Sequence, residues 1–201
     1  MVTFKIIYLI GLASLTLIRL HYTGKNRRPV IMHFRSGCDQ TLQFLSGLGL
    51  TVIPLVYIFT RWLAWADIPV TEMFQNLSGS VGTLVLGAAL WLARRAYSDL
   101  GGNWSATMQI KDSQVLVTTG IYRRLRHPLY AANLLWGLAQ LLLLPNWIAG
   151  PAMLVTFIPF YLVRIGREER MLRDHFGDSY NRYCKQTGRL WPHPRVKYSD
   201  E

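Results

Sequence analysis

Residues 129–163 read LYAANLLWGLAQLLLLPNWIAGPAMLVTFIPFYLV, a stretch without one charged side chain. Its apolar halves, 129–144 and 147–163, are separated only by Pro145-Asn146, and a break that short predicts an antiparallel helical hairpin. Each half has about 16 or 17 residues, the low end of what crosses a hydrocarbon core ~30 Å thick. Three more apolar runs precede the hairpin. Val2 to Leu20 is interrupted only by Lys5 and Arg19 near its ends. The basic residues follow this run and no small-residue cleavage site comes after it, so a retained membrane helix is expected in place of a signal peptide. Leu42 to Phe59 is uncharged and carries Pro54, which membrane helices tolerate. Trp62 and Trp65 follow it, as an interfacial aromatic belt would. Leu77 to Ala93 contains Gly79, Gly82 and Gly87, small enough for close helix contact, and ends at Arg94-Arg95.

Composition agrees with a membrane bundle. The chain of 201 residues is 51% hydrophobic and 16% charged, against about 25% charged in an ordinary soluble domain. That hydrophobicity excludes a disordered chain, and two cysteines exclude a disulfide scaffold. The expectation is an all-α integral membrane protein with five transmembrane helices at about 2–20, 42–60, 77–93, 129–144 and 147–163. The last two form a tight hairpin, and residues 1–201 form a single domain.

The net charge of +11 then needs an explanation. All but Lys5 and Arg61 of the 22 Lys and Arg residues fall within 19–35, 94–126 and 164–197. These are alternate loops of the five-span arrangement, as the positive-inside rule requires. The expected topology has the N-terminus outside and the C-terminus in the cytoplasm, in an inner or endomembrane. The charge is a topology signal and does not point to nucleic acid; the lipid bilayer, with anionic headgroups in reach, is the implied partner. Cys38 and Cys184 fall on the reducing side and no disulfide is expected. The spacing of His, Cys and acidic residues provides no metal motif.

Two segments expected in the cytoplasm, 94–128 and 164–201, hold nearly all the unusual polar residues. In the first, Gly101-Gly102 ends the third helix, Asp112-Ser113 is a turn, and Val115 to Val117 is a short extended stretch. Pro128 fits the first turn of the fourth helix, where its missing N–H costs nothing. His127 then stands at the N-cap region, beside free N–H groups that favour an anionic ligand group. In the second segment Arg164, Glu168 and Met171-Leu172 fall on one helical stripe. By itself the Arg164–Glu168 spacing describes an ordinary surface ion pair.

Taken together, GIYRRLRHPLY at 120–130 and EE…FGDSYNRY…GRLWP from Glu168 to Pro192 resemble the signature of isoprenylcysteine carboxyl methyltransferases and the related phospholipid methyltransferases. The ordered set is specific, although EE or FG alone is weak. The family binds S-adenosylmethionine without a Rossmann fold, and this chain has no G-x-G-x-x-G after a strand. The resemblance implies that 94–128 is a cofactor-binding loop and 164–201 a C-terminal helical segment. Gln114, Val115, Leu116 and Val117 match the segment that meets the adenosine end. Tyr122 matches a cofactor contact, and His127, Pro128, Leu129 and Tyr130 the element that holds the methionine part. Glu168 matches the acidic ligand of the amino group, and Arg164 the residue placed toward the methyl acceptor. Arg167 stands where relatives are often acidic, and Leu129 where they often carry a small residue.

The physical chemistry suits these roles. Tyr122, Tyr130 or Trp104 would face the sulfonium through cation–π attraction, with Trp104 also beside the acceptor. An ionised carboxylate acceptor needs no general base, whereas an amine must first lose a proton. Arg164 suits an acidic acceptor as a bidentate clamp. The implied activity is carboxyl methylation of an isoprenylcysteine-like, lipophilic acid. N-methylation of an aminophospholipid is the alternative. A noncatalytic scaffold or small transporter is the reading from another class, and the scarcity of ionisable groups in the spans argues against it.

Overall fold

A computed structural model describes residues 2–23, 30–33, 37–101, 109–111 and 115–192. Helix α1 covers Val2–Thr23, strand β1 Val30–His33, α2 Gly37–Gly47, α3 Ile53–Phe59, α4 Glu72–Leu100, β2 Gln109–Lys111, α5 Pro128–Leu143, α6 Ala152–Phe176 and α7 Asp178–Gln186. Among the described residues the regular structure is helical apart from β1 and β2, which pair antiparallel and which the apolar pattern did not announce. Three stretches among the described residues are long and apolar enough to cross a membrane: Val2–Tyr22, Gly37–Phe59 and Glu72–Leu100. The apolar α5 is shorter, and α6 continues well past the end of its apolar run, through the charged residues 164–176.

The expected span at 42–60 is α2 and α3 joined through one π turn, Leu48–Val52. Pro54 makes this turn expensive, because it supplies no N–H to the ladder. Ile53 N–H is already used by the Leu48 carbonyl. The carbonyls of Gly49 and Leu50 are therefore left for side chains from other helices. Gln140 of α5 donates Nε2 to Gly49 at 3.1 Å and to Ala149 at 2.7 Å. The Tyr8 hydroxyl of α1 lies 2.6 Å from the Leu50 carbonyl and 2.9 Å from Gln140 Oε1, with one proton to place between them. Tyr8, Gln140 and Trp136 are buried at the centre of the core, so water cannot substitute for these partners.

The broadest interface joins α4 to α5, while α2 and the π turn lie against α6 and α1 lies against α4. Ala89, Ala93, Ala132 and Ala139 are buried between these helices. Gly79 abuts the Phe4 ring and Gly82 abuts Leu142 and Leu143, but a Cβ at Gly87 would meet nothing within 4 Å among the described residues. The hairpin break is longer than Pro145-Asn146, since α5 ends at Leu143 and α6 begins at Ala152. Asn146 explains it. Its Oδ1 accepts from Ile148 and Ala149 N–H, and its Nδ2 donates to Leu63 O and Asp67 Oδ1. Trp147 N–H goes to Ala66 O, so the connection is spent on the loop before α4 and not on helix. The exposed Trp62, Trp65 and Trp147 share this end of the bundle, as an interfacial belt would.

Gln140→Leu leaves the Gly49 and Ala149 carbonyls without donors. It is expected to cost on the order of 2 kcal/mol, read as a drop in thermal midpoint in detergent. Leu138→Ala, on a part-exposed face of the same helix, should move the midpoint much less; equal shifts would remove the special status of the π turn.

Candidate active site

A cavity of about 400 Å³ opens among α1, α2, α4, α5, α6 and α7. It is lined by Val115, Leu116, Val117, Tyr122, His127, Pro128, Leu129, Tyr130, Arg164 and Glu168. These are all of the expected site residues that the structure describes. Gln114 and Trp104 lie outside the described residues, as does the expected Asp112-Ser113 turn.

The residues reach the cavity for local reasons. Gly101 ends α4 with φ +51°. After Val115 to Thr118, the chain turns at Gly120, where φ is +61° and any Cβ would meet the Asp99 carboxylate. Asp99, paired with Arg95 at 3.1 Å, accepts Ile121 N–H at 2.7 Å. The Tyr183 hydroxyl donates to the Tyr122 carbonyl at 2.7 Å, which docks α7 on this turn. Burial pushes the Tyr122 phenol well up, so it stays protonated. His127 is the N-cap of α5 and Pro128 its first residue. The first intrahelical bond runs from Ala131 N–H to His127 O, so the N–H groups of Leu129 and Tyr130 stand outside the ladder.

On α6, Met153, Phe157, Phe160, Arg164 and Glu168 form one stripe along the cavity. At about 1.5 Å per residue, Met153 to Arg164 covers roughly 16 Å of apolar wall. Arg164 Nε lies 3.8 Å from Glu168 Oε2, and the Arg164 side chain is only 9% exposed. Glu168 is partly exposed, so the pair is half-buried, unlike the surface pair that the spacing alone describes. The Arg164 guanidinium sits 5.3 Å from the Phe160 ring centroid. Glu168 Oε2 also accepts the Tyr130 hydroxyl. The Tyr130 ring contacts those of His127, Phe157, Phe160 and Tyr161, at centroid separations of 5.6, 6.1, 6.4 and 5.5 Å. A carboxylate beside an aromatic cluster suits an organic cation.

Glu169 was not singled out by spacing, yet it organises the site. A helix turns about 100° per residue, so Glu169 points away from Glu168 and into a buried cluster. It accepts Arg189 Nη2 at 2.6 Å and Nε at 3.0 Å, with His127 Nε2 at 3.3 Å and Arg126 Nε at 3.4 Å. Arg126 also donates to the carbonyls of Cys184 and Thr187. The backbone N–H groups of Arg126 and His127 donate to Gly188 and Arg189. The R-H-P and G-R-L-W segments are thus paired side by side over Glu169. The two neighbouring Glu residues were the available signal, but the partners of Glu169 stand 20 to 43 positions away.

The model of the isoprenylcysteine carboxyl methyltransferase family matches residues 80–174, which hold the last part of α4, the 115–130 segment, α5 and nearly all of α6. Over that stretch, a little under half of its length, the chain is similar to this family. It is 33% identical over 112 residues to the protein-S-isoprenylcysteine O-methyltransferase of Schizosaccharomyces pombe, an overlap of 55% of this chain and 47% of that one. It is 31% identical over 107 residues to protein-S-isoprenylcysteine O-methyltransferase A of Arabidopsis thaliana, or 53% of this chain and 52% of that one. The chain thus spans about half the length of the curated relatives it matches. A solved structure of the eukaryotic intramembrane Ras methyltransferase, isoprenylcysteine carboxyl methyltransferase, superposes with a TM-score of 0.52 at 25% identity, covering 79% of this chain and 54% of that one. This chain is accordingly a helical integral membrane protein.

Burial pushes the Glu169 carboxyl up, but hydrogen bonds from His127 and Arg189 outweigh it and hold it down to about 2. Its ordinary value is 4.5. The clamp therefore contributes in full above pH 4.5 and is lost as the pH falls toward 2. Glu169→Gln is expected to cost on the order of 3 kcal/mol at neutral pH. The gap between wild type and variant should close across that acidic window; parallel pH profiles would contradict the assignment.

Proposed function

We propose that the chain is a membrane methyltransferase that uses S-adenosylmethionine to O-methylate the carboxyl group of a lipophilic, isoprenylcysteine-like acid. The observation that carries this is the single cavity. It joins the acidic, aromatic corner at Glu168 and Tyr130 to the Arg164 guanidinium, then continues along an apolar wall of α5 and α6. The names of the similar proteins point the same way.

The residues fit the cofactor's chemistry. Glu168 suits the ammonium, the N–H groups at the start of α5 suit the carboxylate, and Val115 to Val117 form an apolar shelf for the adenine. Bound there, the cofactor supplies a methyl group already activated on a sulfonium. Arg164 would hold the acceptor carboxylate as a bidentate clamp, and positioning then supplies much of the acceleration. A carboxylate needs no general base, and none is to hand. Glu168 is engaged by Tyr130 and Arg164, and the one histidine on the described wall has Nε2 on Glu169. That disfavours N-methylation of an aminophospholipid. The same reading has α5 and the apolar part of α6 as fourth and fifth spans, with the N-terminus outside and the site facing the cytoplasm. The basic segments 94–126 and 164–197 support this.

Purified protein in lipid vesicles, given methyl-labelled cofactor with farnesylcysteine or phosphatidylethanolamine, tests the activity. Base-labile label on the thioether acid is expected; label on the phospholipid would transfer the case to the amine, and no cofactor binding would end the reading. Glu168→Ala should weaken cofactor binding roughly tenfold. Arg164→Ala should leave cofactor binding intact and lower turnover by roughly 10²-fold; full turnover in both variants would displace the site.

A further inference from the structure

One ion pair with a buried carboxylate stands outside the cluster around Glu169 and outside the cavity lining. Asp39, in the first turn of α2, has a side chain only 8% exposed, and its Oδ1 lies 3.2 Å from Arg167 Nη1. Its other carboxylate oxygen is buried and has no hydrogen-bond partner among the described residues. Arg167 is about half exposed. An ion pair of this kind adds little net stability, because desolvation of the carboxylate offsets the attraction. Its value lies in register.

The position of the pair says which register. One turn beyond Asp39 on α2 comes Gln43, then Ser46 and Gly47, and all three line the cavity. Arg164 lies three residues before Arg167 on α6, on the same face. Beyond the cavity wall, Gly49 is pressed on α6 so closely that a Cβ would stand 2.2 Å from Thr156 Oγ1 and 2.6 Å from Ala152 O. The α2 wall is therefore fixed to α6 at two points, Gly49 and the Asp39–Arg167 pair, with Gln43, Ser46 and Gly47 between them. None of this wall falls within residues 80–174.

We infer that Asp39 and Arg167 are a positioning pair that holds the α2 wall at the distance from Arg164 that the methyl acceptor requires. This rests on the proposed methyl-transfer activity. The pair touches neither the cofactor corner nor Glu168, so its loss affects acceptor binding and leaves cofactor binding alone.

Asp39→Asn keeps the side-chain shape, and Arg167→Gln changes a half-exposed residue, so both variants should fold. Each is expected to raise KM for the farnesylcysteine acceptor roughly fivefold with kcat and cofactor affinity unchanged, and the double variant should be no worse than either single. Arg167→Lys should retain most of the wild-type KM. A second arm does not depend on turnover. Spin labels at Gln40→Cys and Arg170→Cys, with Cys38 and Cys184 changed to Ser, report the separation of α2 and α6. Asp39→Asn should broaden that distance distribution. Additive single effects, an unchanged KM, a fall in kcat and cofactor affinity together, or an unchanged distribution would each overturn the inference. If the wild type methylates no acceptor, the proposed function fails while the spin labels still decide on the pair.

Discussion

Two arginines and a histidine from two separate stretches of chain converge on one buried carboxylate, and the rest of the site takes its position from that meeting. Glu169 receives Arg126 and His127 from the segment before α5, and Arg189 from the segment after α7. Without the carboxylate the two guanidinium groups would repel one another. With it, the chain before α5 and the chain after α7 are laid side by side against α6. Such a cluster is a weak source of net stability, since Glu169 and Arg126 were desolvated to form it. Its effect is to permit one arrangement and penalise the others. That arrangement places Pro128 at the start of α5, and with it the unpaired N–H groups of Leu129 and Tyr130, against the cavity face of α6.

A second polar knot does the same deeper in the bundle. Pro54 orphans carbonyls in the π turn, and Gln140 and Tyr8 answer them from α5 and α1. Both knots bind α5: Glu169 holds its first turn and Gly49 its last. The cavity lies between, with Leu50 and Met153 at its apolar limit and Glu168 at the polar one. A bundle held only by apolar packing would lack this fixed register, because lipid is as good a solvent for leucine as another helix is.

Periodicity made part of this legible. The Arg164–Glu168 stripe followed from helical spacing, and the motif at 120–130 brought Tyr122, His127 and Tyr130 into the same account, all on one cavity wall. Other features have no local signal. The π turn shifts the helical phase inside an all-apolar stretch, where every face looks alike. The connection Leu144–Pro151 is irregular because Asn146 is consumed by Leu63 and Asp67, about 80 positions away. The α6 ladder continues past Val163 because backbone bonding does not end where hydrophobicity does. Glu169 could not be told from Glu168 without knowing which partners stood on each side of the helix.

The charge in the cavity bears on its ligand. Arg19, Arg126 and Arg164 line it against Glu168 alone among the described acidic side chains. Arg126 is committed to Glu169, but Arg164 shares Glu168 with the Tyr130 hydroxyl. A space with that balance attracts an anion and repels a cationic methyl donor unless something else holds it. Glu168 and the rings around Tyr130 offer that compensation on one side, and under the proposed function an acceptor carboxylate on Arg164 would complete it on the other. Methylation would then remove the very charge that Arg164 holds. The ester would leave a buried guanidinium with a weaker partner, so the product would bind less well than the acid. Under that proposal, recognition of the substrate and release of the product would depend on the same side chain.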